Sequence, residues 1–251
     1  AGVDAGRATR AAALSKCDLM TRMVGEFPEL QGTMGRYYAT AQGEDREVAA
    51  ALDEYYAPRF AGDAIAASPL GRVLAVADKL DTLVGLFAIG QKPSGSKDPF
   101  SLRRNALGLA RTLIEGKLDL DLVALLRDAA ALVDGAKAEA VAVELYDFVL
   151  ERLRGYHADQ GIRGDMFDAV ASQRPASLLD FDARLRALLE FARLPEADAL
   201  AAANKRIANI LRQATEKGDK PAPNIDASAL TAPEERTLAA TLEFEGGKAM
   251  Q

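Results

Sequence analysis

Between Leu70 and Ile89 the apolar side chains Val73, Leu74, Val76, Ala77, Leu80, Leu83, Val84 and Phe87 are too numerous for one helical stripe. A helix that is apolar around most of its girth has to be surrounded, so the fold is expected to be organised around this segment. The remaining composition agrees with a helical surrounding. Apolar residues make up 49% of the 251 residues, aromatics only 6%, and tryptophan is absent. Alanine and leucine, which lose little side-chain freedom in a helix, dominate. Nothing reads as a set of alternating strands, and no internal repeat is present. The expected class is all-α, with enough apolar material for one large domain or two modest ones.

Helical spacing recurs from about Ala11 to Val24, broken by Pro28 and Gly32, and again over Glu44–Tyr56, ending before Pro58. After the central segment comes the loop Gly90–Lys97. Asp98 then offers an N-cap oxygen and Pro99 suits a first turn, so a helix is predicted from there to Glu115, with Gly116 as its C-terminal cap. Further helices are predicted over 120–133, 136–154, 164–172, 180–192 and 195–217. A polar break from Lys217 to Asp226, containing Pro221 and Pro223, precedes a short helix near 233–242.

The titratable residues narrow the chemistry. There is one histidine, His157, just past a predicted helix end, with no serine or cysteine placed as its nucleophile. The one cysteine, Cys17, rules out an internal disulfide and reads as a buried or half-buried structural thiol in a reducing, cytoplasmic setting. No apolar run approaches the roughly 20 residues that span a bilayer. There is no signal-peptide pattern, and because the first residue is not Met the chain is expected to be a piece of something longer. Gly90–Lys97 mimics a phosphate-cradling loop, but its order is Ser96-Lys97 rather than Lys followed by Ser or Thr, and it follows a helix. Asp78 and Asp81 share a helix face and could hold a divalent ion, or form a polar stripe with Lys79.

The net charge of −6 argues against wholesale coating of nucleic acid yet permits local basic patches. Two are present. Lys92, Lys97, Arg103 and Arg104 span a loop and a helix start. Lys205, Arg206 and Arg212 lie on a segment with no acid between Ala199 and Thr215, and Lys205, Asn209 and Arg212 fall on one face. Such a face suits phosphate and sugar contacts, with an amide available for a base edge.

Several irregular strings resemble one family, in one order. They are Lys16–Tyr38 (KCDLMTRMVGEFPELQGTMGRYY), Tyr56–Asp63 (YAPRFAGD), Ala77–Gly85 (ADKLDTLVG), Gly90-Gln91 and Lys97–Arg104 (KDPFSLRR). Glu151–Tyr156 (ERLRGY), Asp159–Gly161 (DQG) and Ala202–Leu211 (AANKRIANIL) complete the set. Together they resemble the beta subunit of bacterial glycyl-tRNA synthetase.

The resemblance implies a degenerate HD-like helical domain over residues 1–116, a helical connector over 117–179, and the start of a helical anticodon-binding domain over 180–251, cut short at Gln251. The first boundary is soft, anywhere from Glu115 to Ala136. Active HD-type phosphohydrolases hold metal on a His, a His-Asp pair and a distal Asp. Here Glu29-Leu30 stand at the pair, Asp78 matches the distal Asp with Asp81 beside it, and no histidine precedes His157. Metal binding and hydrolysis are therefore not expected. The expected role is tRNA binding within glycyl-tRNA aminoacylation in protein biosynthesis, with no catalytic residue in the chain. The partners implied are tRNA specific for glycine and the alpha subunit, two copies of each subunit forming a tetramer; neither DNA nor a membrane is implied. ATP and Mg belong to the complete ligase, and no cofactor is expected on this chain. The alternatives are a pure scaffold that docks the alpha subunit, and an HD-type metal phosphohydrolase.

Overall fold

In the computed structural model the central apolar segment is α5, Pro69–Ala88. Ser68 caps it by accepting from Gly71 N at 2.9 Å, and Pro69 occupies its first turn. The structure describes residues 2–60, 62–218 and 229–249, without the side chains of 243–249. Among these residues there are helices and turns but no strand. As the pattern demands, α5 is shared between two apolar clusters. Leu70, Leu74 and Ala75 face a cluster with α1 (Ala5–Leu14) and α4 (Arg46–Glu54). Val76, Leu80, Leu83, Val84 and Phe87 join a larger one.

The N-terminal stretch is more broken than its periodicity predicts. A single helix over Ala11–Val24 was expected. Instead α1 stops at Leu14, Lys16 adopts the left-handed conformation at φ 64°, and a tight turn over Cys17–Met20 leads to α2, Arg22–Glu26. The break turns the Asp18 carboxylate inward, where it accepts from Gly32 N at 2.6 Å. Gly32 is required at its place. Its φ is 82°, and a Cβ there would lie 2.7 Å from the Tyr56 ring. It opens α3, Thr33–Ala41, a helix that apolar spacing had not indicated.

The larger cluster is built from the second half of α5 with α6 (Leu102–Glu115), α7 (Leu122–Ala131), α8 (Ala138–Ala158), α9 (Gly164–Ala171) and α10 (Leu178–Phe191). On α8 the inward residues Val141, Leu145, Val149, Leu153 and His157 repeat every four positions. The start of α6 lies later than its caps suggested. Asp98 does bond the free N–H groups, at 2.8 Å to Leu102 and 3.0 Å to Arg103, but Pro99 and Phe100 form a turn and the helix begins at Leu102.

The chain forms two compact units, Ala1–Phe191 and Ala192–Gln251. The boundaries expected near 116 and 179 both fall inside the first, because α6 to α10 contribute to one core. The second unit contains α11, Ala197–Glu216, and α12, Pro233–Ala249. The expected polar break lies largely outside the described residues, which stop at Gly218 and resume at 229.

Candidate nucleic-acid interface

The positions matching the HD ligand set do not assemble one. Glu29 is exposed and Leu30 half-buried on a short turn, and Asp81 is exposed on α5. Asp78 is mostly covered and pairs with Lys16 Nζ at 2.8 Å, so an ammonium neutralises the one carboxylate that matches. Among the described residues no three His, Cys, Asp or Glu side chains converge as a metal set would. The neighbourhood is instead a structural lock. Arg59 bonds Gln31 O and Asp53 Oδ1 at 2.9 and 2.8 Å, and Tyr56 donates to Asp18 at 3.2 Å. Lys79, expected on a polar stripe, is buried at 3% exposure. Its Nζ donates to Tyr55 O and Ala57 O at 3.1 and 2.9 Å, tying the end of α4 to α5. Burial pulls this ammonium down to about 8, with Asp78 opposing the shift.

The members of the first basic cluster meet different partners. Lys92 is drawn to Glu144 at 2.7 Å and lies over the Phe87 ring, while Lys97 is exposed in the loop. Arg103 and Arg104 differ from Lys92. Their guanidinium groups donate to backbone carbonyls, Gly95 O at 2.6 Å and Arg59 O at 3.3 Å. Among the described residues no carboxylate pairs with either. Both line a cleft of about 780 Å³ between the segment around Pro58 and Phe60, α6, and the last turns of α8.

That cleft gathers residues the sequence offered only as separate strings. Phe60 comes from YAPRFAGD, Arg103 and Arg104 from KDPFSLRR, and Arg152 and Tyr156 from ERLRGY. Gly108 lets the walls meet, since a Cβ there would come within 2.9 Å of Lys79 Cε. Arg111 is held by Glu115 and by Asp63 O at 2.8 Å, and its guanidinium sits above Tyr156. Burial pushes the Tyr156 hydroxyl up, and it donates to Glu115. Arg152 pairs with Glu151 and lies over Phe148, yet its Nε is buried with no hydrogen-bond partner. Phe60 is 64% exposed. Arg152 and Phe60 were not singled out from sequence. A basic residue inside ERLRGY was a visible signal, whereas nothing local tells that Phe60 stays in water.

In the second unit, Lys205, Arg206, Asn209 and Arg212 are all exposed on α11. Among the described residues Lys205 and Arg206 have no carboxylate partner, whereas Arg212 pairs with Glu216 at 3.2 Å. The opposite side of α11 carries Leu200, Ile207, Ile210 and Leu211, each 45% exposed or more.

Two single residues depart from expectation. Cys17 is exposed rather than buried, because the turn after Lys16 rotates it off the helix face. His157 lies within the last turn of α8 and is 1% exposed, packed near Phe167 and Phe181. Burial lowers its pKa, with Asp182, whose Oδ1 is 3.8 Å away, opposing the shift.

The described residues define, as a class, an all-helical module with a guanidinium-lined cleft. Comparison with known proteins gives the family. The family model described as glycyl-tRNA synthetase beta subunit matches residues 2–172. Similar curated proteins are glycine–tRNA ligase beta subunits. That of Xanthomonas campestris pv. campestris is 57% identical over 249 residues, covering 96% of this chain and 35% of the relative. Those of Xylella fastidiosa and Pseudomonas aeruginosa are 51% and 52% identical, covering 96% and 94% of this chain and 37% and 34% of the relatives. The chain belongs to the glycyl-tRNA synthetase beta subunit family, and it spans about a third of the length of the relatives it matches.

Proposed function

We propose that this chain is a tRNA-facing, non-catalytic part of a glycine–tRNA ligase beta subunit, contributing to glycyl-tRNA aminoacylation. The observation that carries this reading is a set of exposed cations left without carboxylate partners among the described residues of an otherwise acidic chain. Among them are Lys97 and Arg104 in the first unit, beside the half-buried and likewise unpaired Arg103, and Lys205 and Arg206 in the second. Exposed cations left over after internal pairing are the groups a phosphate backbone can recruit. Asn209 and Arg212 complete the face on α11. In the assembled ligase, adenylate formation with ATP and Mg falls to the alpha subunit, two copies of which join two beta subunits. This chain would hold the tRNA and carry no cofactor.

The test is binding to tRNA specific for glycine and to a control tRNA across a salt titration. It is run beside a variant combining Lys205→Ala, Arg206→Ala and Arg212→Ala. The parent is expected to bind with a steep salt dependence, and the variant to lose affinity and about two to three units of log–log slope. Absence of binding at moderate salt would overturn the reading, as would glycine-dependent pyrophosphate exchange by the chain alone. The exposed apolar side of α11 favours a second reading, a scaffold for the alpha subunit. Strong copurification with that subunit and no affinity for RNA would favour it instead.

A further inference from the structure

We infer that the cleft between Phe60, the start of α6 and the end of α8 is a binding site for one unpaired nucleotide. Its phosphate is held by Arg103, Arg104 and Arg152, and its base lies against Phe60. For the source of that nucleotide the inference rests on the RNA-binding reading above, but the site itself stands on its own geometry.

The size is right, since a cleft of about 780 Å³ lies within the range usual for small-ligand sites. Its charge selects an anion, because four arginines line it against the carboxylates of Glu151 and Asp159. Arg111 and Arg152 are already paired with Glu115 and Glu151, which leaves two guanidinium groups without a carboxylate among the described residues and a third with an unused Nε–H. Of these, Arg103 and Arg104 meet only carbonyl oxygens, and the Arg152 Nε has no acceptor at all. Guanidinium groups that meet only neutral carbonyls gain from a charged acceptor such as a phosphate oxygen, and negative charge nearby eases the cost of the unpaired Arg152 Nε.

A carboxylate ligand would explain the arginines but not the aromatic side of the cleft. Phe60 keeps nearly two thirds of its surface in water beside these charges. A nucleobase is the flat, polar-edged partner that uses such a ring, and Gln160 and Asp159 line the same cleft to meet its edge. The base must be unpaired, because in an A-form duplex its faces are stacked and its major-groove edge is too deep to reach. The HD-matching positions Glu29, Leu30, Asp78 and Asp81 do not line this cleft.

The test uses the whole chain and three probes: a labelled six-nucleotide single-stranded RNA, the same RNA annealed to its complement, and adenosine 5′-monophosphate. The single strand is expected to bind at least about tenfold tighter than the duplex. Arg104→Gln, Arg152→Gln and Phe60→Ala are each expected to weaken it about tenfold, while Phe60→Tyr retains it. Phe60 and Arg104 are exposed, so their variants are expected to melt as the parent does. If the monophosphate binds as tightly as the strand, the site takes a free nucleotide; if the strand binds much more tightly, it takes a nucleotide within RNA. Equal binding of strand and duplex, or single-strand affinity unchanged by both Phe60→Ala and Arg152→Gln, would overturn the inference. The triple variant on α11 separates this result from the tRNA reading. Intact tRNA binding with indifferent cleft variants removes the cleft site alone. Single-strand binding in the cleft with no tRNA affinity removes the tRNA reading alone.

Discussion

At the scale of single residues, the informative side chains are polar groups placed where the helical pattern wants apolar ones. Lys79 occupies a core position of α5 and spends its ammonium on the carbonyls of Tyr55 and Ala57. Its consequence for stability has a definite sign. The folded chain releases this proton near pH 8, whereas an unfolded lysine holds it to 10.5. Between those values the unfolded state binds more protons, so raising the pH stabilises the fold, by up to about 1.4 kcal/mol per pH unit. Denaturant unfolding from pH 7.5 to 9.5 should therefore show a rise in stability for the parent, and a flat profile for Lys79→Met. Parallel profiles in the two proteins would show that the proton is not bound this way. His157 is the same kind of residue. Its place at four-residue spacing from Leu153 and Val149 could have revealed its burial. Reading it instead as a residue past the helix end hid that.

At the scale of elements, the sequence was most legible where a helix is long and regularly apolar, as in α5, α8 and α11. It failed where one tertiary bond decides the local path. Ala11–Val24 has helical spacing throughout, but the chain breaks at Lys16 so that Asp18 can reach Gly32 N, and no local pattern announces a partner fourteen residues away. The start of α6 shows a partial success with a consequence. Asp98 was legible as a cap, but its two bonds go to Leu102 and Arg103 and thereby set the first turn, which carries two of the four arginines of the cleft. Asp98→Ala should cost about 1 kcal/mol of stability. It should also weaken single-strand binding even though Asp98 does not line the cleft. A thermal melt together with the RNA titration checks both parts. A stability loss with RNA affinity unchanged would mean that the arginines are positioned without the cap.

For the whole molecule, the chemistry-bearing residues were individually visible but their assembly was not, because the cleft is made by strings nearly a hundred positions apart. Phe60 and Arg152 come to line one cleft only through the packing of α6 and α8, and spacing within one helix cannot forecast that. The division of the chain follows the same logic. An early boundary near 116 and a later one near 179 rest on family resemblance, yet the buried side chains from Val76 to Leu185 form one continuous cluster. Beyond Phe191, Ala197 is the one buried residue among those described. The first unit therefore carries nearly all the apolar burial that makes unfolding cooperative. A chain ending at Phe191 should keep the main thermal transition of the 251-residue chain, while losing helical signal in proportion to α11 and α12. It should also retain the cleft and its affinity for single-stranded RNA, since every residue lining that cleft precedes Gly161. Circular dichroism melts and the same RNA titration on both chains test this together. A shortened chain with no cooperative transition would place essential packing in the second unit; a folded one that no longer binds RNA would move the binding surface to α11.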